Sequence, residues 1–397
     1  MTSLDSHTHN ALNHIRYLSE AIGGRGSCTP REHQAAEYTA EQMKRMGIEK
    51  IRIETFLGSP STYRPYALAF SAGLLSTLLV WVFQSRWALV VASIFNILGA
   101  CGMLAETDFT ANWTRWLLPK RQSQNAIGVI PPLNQVKHRA VLCAHLDTHR
   151  TPIFYSSQTW QALFSGLVGG ALLSLIISAV VYGLGAIFVW TWVRWIGWVA
   201  ALMEIFALAM SLHADFTPFS PGANDNASGV GVALELAAQL VAQPLKNTQV
   251  WLAFTGCEET AAYGIAAFLD AHAAELGPDA VYMIIDQVGK GRLEYLTSDG
   301  LVIKHPTHPQ ALALARQAAH TLPSIDTAEQ IGIAYTDAAV ATKRGLIALT
   351  LVAVPPPGSP ESIHWHQMSD TLDKIDPATL SNAYQFTRQL LQILDKR

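Results

Sequence analysis

The chain alternates between two kinds of hydrophobic pattern. Residues 11–56 mix charged and apolar positions. Within them a polar helix is predicted over 30–46: Thr29 stands at the cap, Pro30 suits the first turn and Glu32 completes a capping box. Gly47 ends it, and the alternation Ile51-Arg52-Ile53-Glu54 predicts a short strand. The pattern then changes. Residues 65–85 hold no charge, Arg86 interrupts, and 87–105 are again free of charge. Each stretch is about 20 residues, the length that spans a hydrocarbon core. Core helices of soluble proteins are usually shorter and apolar on one side only, so the pair predicts a transmembrane hairpin.

Residues 122–148 return to the mixed pattern, with strands expected over 125–130 and 139–147 around a turn at Pro131-Pro132. A second apolar block follows. Residues 151–193 carry no charge, and Arg194 and Glu204 are the only charges before Asp215. Two further spans are predicted, over 162–186 and 190–212. Gly166, Gly170, Ser174 and Ser178 recur every four residues and form a small-residue stripe that admits a close helix neighbour. Glu204 falls mid-span, where a charge costs at least about 2.5–3.5 kcal/mol, so it is expected to face other helices or a wet cavity. Nine of the eleven tryptophans lie between Trp81 and Trp198, most near proposed span ends, where interfacial aromatic belts occur.

From Pro221 onward helices are expected over 227–240 and 261–276, and strands over 250–255, 280–286 and 346–354. Strands alternating with helices give an α/β fold: a mostly parallel mixed sheet with helices on both faces, here interrupted by four transmembrane helices. Each interruption holds two spans and returns the chain to the same side. The three remaining pieces can therefore build one domain.

Composition sharpens this picture. Only 14% of the 397 residues are charged and 50% are apolar, against about 25% charged in an ordinary soluble domain. The formal net charge of −3 gives no reason to expect nucleic acid as a partner. Cys28, Cys101, Cys143 and Cys257 are far apart and form no C-x-x-C pair, which argues against a cysteine zinc site and suits a reducing compartment. Residues 1–10 are polar and lack an apolar core, so no cleavable signal peptide is expected.

Five segments carry chemistry, and most fall where predicted strands end, the usual place for ligand sites in α/β sheets. His145 closes an apolar strand and Asp147, two residues on, points to the same side, where a carboxylate can orient a metal-bound imidazole. Read alone, His-x-Asp is a polar loop pair. In Gly222-Ala223-Asn224-Asp225-Asn226-Ala227-Ser228-Gly229, a sharp turn into a helix puts Asp225 at the apex, either as a helix cap or as a carboxylate bridging two cations. Glu258 and Glu259 repel each other unless cations or abundant water screen them; one can bind metal while the other works as a base. Asp286 closes another apolar strand, as a ligand or a cap. Of His364 and His366, one is expected to be an ordinary loop histidine and the other a metal ligand.

In that order the five segments resemble the di-zinc peptidases of metallopeptidase family 28, which include bacterial leucyl aminopeptidases, glutamate carboxypeptidase and the inactive peptidase-like domain of the transferrin receptor. Gly24-Arg25-Gly26 up to Gly47 looks like that family's opening helix. Tyr335-Thr336-Asp337 is similar to its Ser-Asp-His segment, but Ala338 stands where the histidine usually does. The resemblance covers residues 11–60, 122–150 and 218–395. It does not cover the four hydrophobic spans, which look like insertions, so a peptidase domain in three parts (1–64, 107–160 and 214–397) is expected, with transmembrane hairpins at 65–106 and 161–213. The resemblance implies two Zn²⁺ per chain: His145, Asp225 and Asp286 holding one, Asp225, Glu259 and His366 the other. Glu258 is then the general base and Asp147 the orienting partner of His145. His366 is preferred to His364 because it stands four residues before Asp370.

The implied protein is a membrane-bound aminopeptidase acting on peptides with a free N-terminus. The alternatives are glutaminyl cyclisation or another amide chemistry on the same fold, and a non-catalytic membrane receptor, which intact ligands argue against. The lipid bilayer is an expected partner, nucleic acid is not, and a homo-oligomer stays open. Flanks on the catalytic side carry Arg64, Arg115, Lys120, Arg121 and Arg150, the hairpin tips only Arg86 and Arg194. That bias places the protein in the inner or cell membrane with a cytoplasmic catalytic domain.

Overall fold

The computed structural model describes residues 5–190, 192–355, 359 and 364–397. They form two units: Met1–Pro60, Lys120–Arg150 and Pro218–Arg397 make the first, Ser61–Pro119 and Thr151–Thr217 the second. In chain order the helices are α1 (Ser6–Arg16), α2 (Pro30–Arg45), α3 (Arg64–Phe83), α4 (Arg86–Thr107), α5 (Trp113–Leu117), α6 (Gln158–Phe188), α7 (Val193–Phe216), α8 (Gly229–Ala242), α9 (Tyr263–Leu276), α10 (Pro309–Thr321), α11 (Asp337–Lys343) and α12 (Pro377–Asp395).

The first unit is built on a nine-stranded mixed sheet. Its strands are β1 (Lys50–Gly58), β2 (Arg121–Ile130), β3 (His138–His145), β4 (Thr248–Thr255), β5 (Val281–Ile285), β6 (Arg292–Asp299), β7 (His305–Pro306), β8 (Thr327–Ile331) and β9 (Ile347–Val354). The order is β1-β2-β4-β3-β5-β9-β6-β7, with β8 beside β6. The central β4, β3, β5 and β9 are parallel, and β2 and β6 flank them antiparallel. Leu142, Leu252, Met283 and Leu349, one on each central strand, are fully buried. Such two-sided burial is why these strands read as near-continuous apolar runs. Strands β6 to β8 have no such run: β6 alternates buried and half-exposed positions and β8 is largely exposed. Their partners, not their sequence, make them strands.

The second unit consists of two hairpins. A left-handed residue ends each first helix, Gln84 (φ 43°) after α3 and Val189 (φ 57°) after α6. Helix α3 packs on α4 and α7, and α6 packs on the same two. Helix α6 spans 31 residues, longer than the apolar run within it, because Ser157 caps it a turn earlier by accepting from the Trp160 amide. Helix α7 continues to Phe216, where Asp215 meets Arg64 at 2.9 Å. At its middle, Glu204 is 1% exposed and accepts from Ser174 Oγ at 3.4 Å. It rests on Gly73, where an added Cβ would come within 2.5 Å of the carboxyl group. Glu204 thus faces neighbouring helices, as its charge requires, and Ser174 of the small-residue stripe faces it. The outer faces expose Leu75, Leu78, Ile94, Leu173, Ile177, Leu202 and Ile205. Water-soluble monomers seldom leave so much contiguous apolar surface open. All four long helices have the length and composition to cross a membrane.

Two buried ionisable side chains tie the segments of the first unit together. Thr29 caps α2 by accepting from the Glu32 amide, but Glu32 does not complete the capping box: the Thr29 amide donates to Gly26 O. The Glu32 carboxylate instead accepts from the amides of Cys28 and Cys257, both at 2.8 Å, and from Ser123 Oγ at 2.9 Å. A fully buried carboxyl group needs several donors, and a capping box would give it only the Thr29 amide. Burial, and then Asp147 nearby, push its carboxyl up to about 8. Arg25 is equally buried. Its guanidinium donates to the carbonyls of Leu146, Leu18, Pro221 and Gly222 at 2.8–3.0 Å. It thereby joins the loop before α2, the end of β3 and the turn before α8. Burial lowers it to about 10, so it stays protonated. A lysine cannot reproduce this planar fork. Arg25→Lys is expected to lower stability by roughly 2–4 kcal/mol, since several buried carbonyls lose charge-assisted donors. Thermal denaturation of the detergent-solubilised chain measures this; an unchanged midpoint would show that the fork holds nothing.

Candidate metal centre

The apolar strands of the sheet end together, and the polar residues begin there. His145 is the last residue of β3 and pairs with Thr255, the last of β4. The next turns carry Glu258 and Glu259 after β4 and Asp286 directly after β5. Asp225 arrives from the distorted turn before α8. Its neighbours pin that turn to the loop after β5: Asn226 Nδ2 donates to Ile285 O, Asn224 Oδ1 accepts from the Gly289 amide, and Ser228 Oγ accepts from the Val288 amide. Asn226 Oδ1 also accepts from the Gly229 amide at 3.0 Å. Asn226 therefore does the capping that the sequence left open for Asp225, and the Asp225 carboxylate is directed elsewhere. Asp370 holds the same turn by accepting from the Asn224 and Asp225 amides.

The two oxygens of Asp225 face different histidines. Oδ1 lies 3.2 Å from His145 Nε2 and Oδ2 lies 3.1 Å from His366 Nε2. Asp286 is 3.4 Å from His145 Nε2, and Glu259 is 3.5 Å from His366 Nε2. His145, Asp225 and Asp286 offer three donor atoms within 4.8 Å of one another, as do His145, Glu258 and Glu259. Every one of these side chains is buried, none more than 7% exposed. So dense a set of buried carboxylates and imidazoles fits Zn²⁺, which takes just these nitrogen and oxygen donors. The Glu258 Oε1 atom, buried without a hydrogen bond, leaves an oxygen donor suited to a cation. His364, by contrast, is bonded to Ser369 Oγ at 2.8 Å.

Asp147 lies beside His145 and also serves the acidic turn. The His145 Nδ1 atom meets the Asp147 backbone carbonyl at 3.1 Å and its carboxylate only at 3.6 Å. The carboxylate accepts instead from the amides of Glu258 and Glu259 and from Ser27 Oγ. It orders the acidic turn, because two adjacent main-chain donors outcompete a single imidazole edge. The Tyr335-Thr336-Asp337 segment supports the strand ends from behind. Asp337 accepts from Thr255 Oγ1 and Cys143 Sγ, and Tyr335 Oη reaches Glu258 O at 3.3 Å.

Two residues escaped the sequence analysis. Trp365 donates from Nε1 to Asp225 Oδ2 at 3.0 Å. His149 stacks on His366 with ring centroids 3.7 Å apart and 12° between planes. His149, Glu259 and His366 form a third close donor group. The parallel rings, however, hold their lone pairs in different planes, so one ion cannot lie in both. Burial, then His366 alongside, keep His149 well below the ordinary imidazole range. It is a neutral platform for His366. The spacing His145-x-Asp147-x-His149 was the available signal, since alternate residues share a side.

Residues 204–391 match the family model described as peptidase family M28. The chain is 28% identical over 200 residues to a probable lipoprotein aminopeptidase, LpqL, of Mycobacterium tuberculosis, covering 42% of this chain and 38% of that protein. It is 40% identical over 82 residues to aminopeptidase YwaD of Bacillus subtilis, covering 20% and 18%. The chain thus spans well under half the length of the curated relatives it matches. Among solved structures, a zinc aminopeptidase from Bacillus subtilis superposes with a TM-score of 0.58 at 15% identity, over 98% of this chain and 95% of that one. A Bacteroides thetaiotaomicron glutaminyl cyclase superposes with a TM-score of 0.55 at 16% identity, over 98% and 99%.

The crowded acids make a prediction for the metal-stripped protein. Burial, then Asp225, push the Glu259 carboxyl well above its ordinary 4.5. A raised carboxyl stabilises the native state fully below that ordinary value, and this contribution is lost as pH rises beyond it. In excess chelator, Glu259→Gln is therefore expected to melt above the parent at pH 8, with the gain disappearing near pH 4. A gain equal at both pH values would remove the charge-repulsion account.

Proposed function

We propose that the chain is a member of peptidase family M28, whose model matches residues 204–391, and that it is a membrane-bound zinc metallopeptidase that releases N-terminal residues from peptides. The observation that carries this reading is Asp225, whose two oxygens face His145 and His366 separately. That division supports two ions sharing one carboxylate. His145, Asp225 and Asp286 would hold one Zn²⁺, and Asp225, Glu259 and His366 the other. When bound, zinc supplies a Lewis acid for the scissile carbonyl and acidifies a water.

The chain's own groups do the rest. His145 Nδ1 faces a backbone carbonyl, which only accepts, so Nδ1 carries the proton and Nε2 presents its lone pair toward Asp225 and Asp286. Glu258 is the general base: it takes a proton from the attacking water and returns it to the departing amine. Burial pushes its carboxyl well above the ordinary carboxylate range. Asp147 and Tyr335 hold its main chain from two sides. The expected substrate is a peptide with a free N-terminus. Glutaminyl cyclisation is the second reading, favoured only by the likeness of fold to a glutaminyl cyclase. A centre holding one ion and leaving unblocked peptides intact would support it instead.

The four long apolar helices support integral membrane placement. Each hairpin returns the chain to its starting side, and the positive flanks Arg64, Arg115, Lys120, Arg121 and Arg150 assign that side to the cytoplasm.

Glu258→Gln is expected to keep two zinc ions by elemental analysis while amino-acid release from unblocked peptides falls about 100- to 10,000-fold. Asp225→Asn is expected to lose metal instead, since a neutral amide bridges two cations poorly. Near-normal turnover in Glu258→Gln would refute the base assignment, and acetylated peptides should resist the parent enzyme. For sidedness, a cytosol-dependent fluorescent reporter placed after Arg397 should light up; activity of alkaline phosphatase at that position would reverse the orientation.

A further inference from the structure

Two cysteines 229 positions apart in sequence meet beside the acidic turn: Cys28 Sγ and Cys257 Sγ lie 3.4 Å apart. We propose that they form an oxidisable dithiol, a thiol–disulfide site that links the loop before α2 to the turn carrying Glu258.

Several features converge on the pair. Closing 3.4 Å to a disulfide bond of about 2.05 Å moves each sulfur by less than an ångström. The backbones are already placed, because both oxygens of the buried Glu32 carboxylate are engaged, one by the Cys28 amide and the other by the Cys257 amide. Both cysteines adopt left-handed backbone conformations, φ 60° and 53°, which L residues with a side chain seldom do. Space is reserved for the sulfurs: a Cβ on Gly58 would lie 2.6 Å from Cys257 Sγ and 3.3 Å from Cys28 Sγ. Accessibility divides the roles. Cys28 is half-buried and reachable, whereas Cys257 is fully buried behind it. Cys101 and Cys143 are free cysteines as well, the first exposed and the second buried against Asp337.

The oxidant is hydrogen peroxide. The Cys28 thiolate attacks one peroxide oxygen, the O–O bond breaks, and sulfenic acid and hydroxide form. The Cys257 sulfur then attacks the sulfenic sulfur and water leaves. In sum two thiols and one peroxide give one disulfide and two waters, with two electrons passing from sulfur to oxygen.

The test uses the full chain in detergent, reduced, freed of reductant and treated with a small excess of hydrogen peroxide. It is then denatured in the presence of N-ethylmaleimide, digested and weighed. The expected product is one linked pair of peptides containing Cys28 and Cys257, lighter by about 2 Da than the two thiols and separated again by reductant. In Cys28→Ser the link disappears and Cys257 takes maleimide. Recovery of Cys28 as sulfinic acid with Cys257 unlinked, or of both as maleimide adducts, overturns the proposal. So does an equal yield of this link from urea-unfolded protein. The readout is mass, so it stands or falls independently of the peptidase reading.

Discussion

Buried carboxylates must be neutralised, and most of the first unit is arranged around that requirement. Asp147, Asp225, Glu258, Glu259 and Asp286 lie together out of water with two histidines among them. Their mutual repulsion in a low-dielectric interior is too large to leave uncompensated. Hydrogen bonds from main-chain amides take part of the load at Asp147 and Asp370. The oxygens turned inward toward His145 and His366 face imidazole nitrogens, an arrangement suited to metal binding. A protein without metals would gain by having apolar residues in these places, so their presence together is itself a functional signature.

The same principle organises the supporting layer. Glu32 and Arg25 are buried ionisable groups that make no direct contact with the proposed chemistry, yet each closes several segments at once. Glu32 joins α2, β2 and the acidic turn. Arg25 joins the opening loop, the end of β3 and the Asp225 turn. A charge with many backbone partners specifies one arrangement of loops more sharply than apolar packing does, because each misplaced carbonyl or amide is left unsatisfied. The second unit follows the opposite rule. Its helices satisfy their own backbone groups and turn apolar side chains outward, and Glu204 is confined against Gly73 and Ser174.

The central strands and the long helices were legible in the sequence because each carries an unambiguous period or a long apolar run. Strands β3, β4, β5 and β9 are buried on both faces and read as such, within a few residues of their ends. Strands β6 to β8 were not legible: β6 is half-exposed, β7 and β8 lie outside it, and all three take their identity from pairing with β9 or with each other. The same holds for Glu32, whose sequence position signals a capping box and whose side chain goes elsewhere.

Residue type and order along the chain, by themselves, singled out His145, Asp147, Asp225, Glu258, Glu259, Asp286 and His366, because acids and histidines at the ends of apolar strands are rarely tolerated without a task. What they could not decide were relations between residues distant in sequence. Asn226 rather than Asp225 caps α8, Asp147 serves the acidic turn more than His145, His149 lies flat on His366, and Cys28 meets Cys257. Local pattern encodes which face of an element is buried. Only the folded chain determines which loops meet where the strands end, since that depends on sheet order and on backbone hydrogen bonds that no linear spacing records.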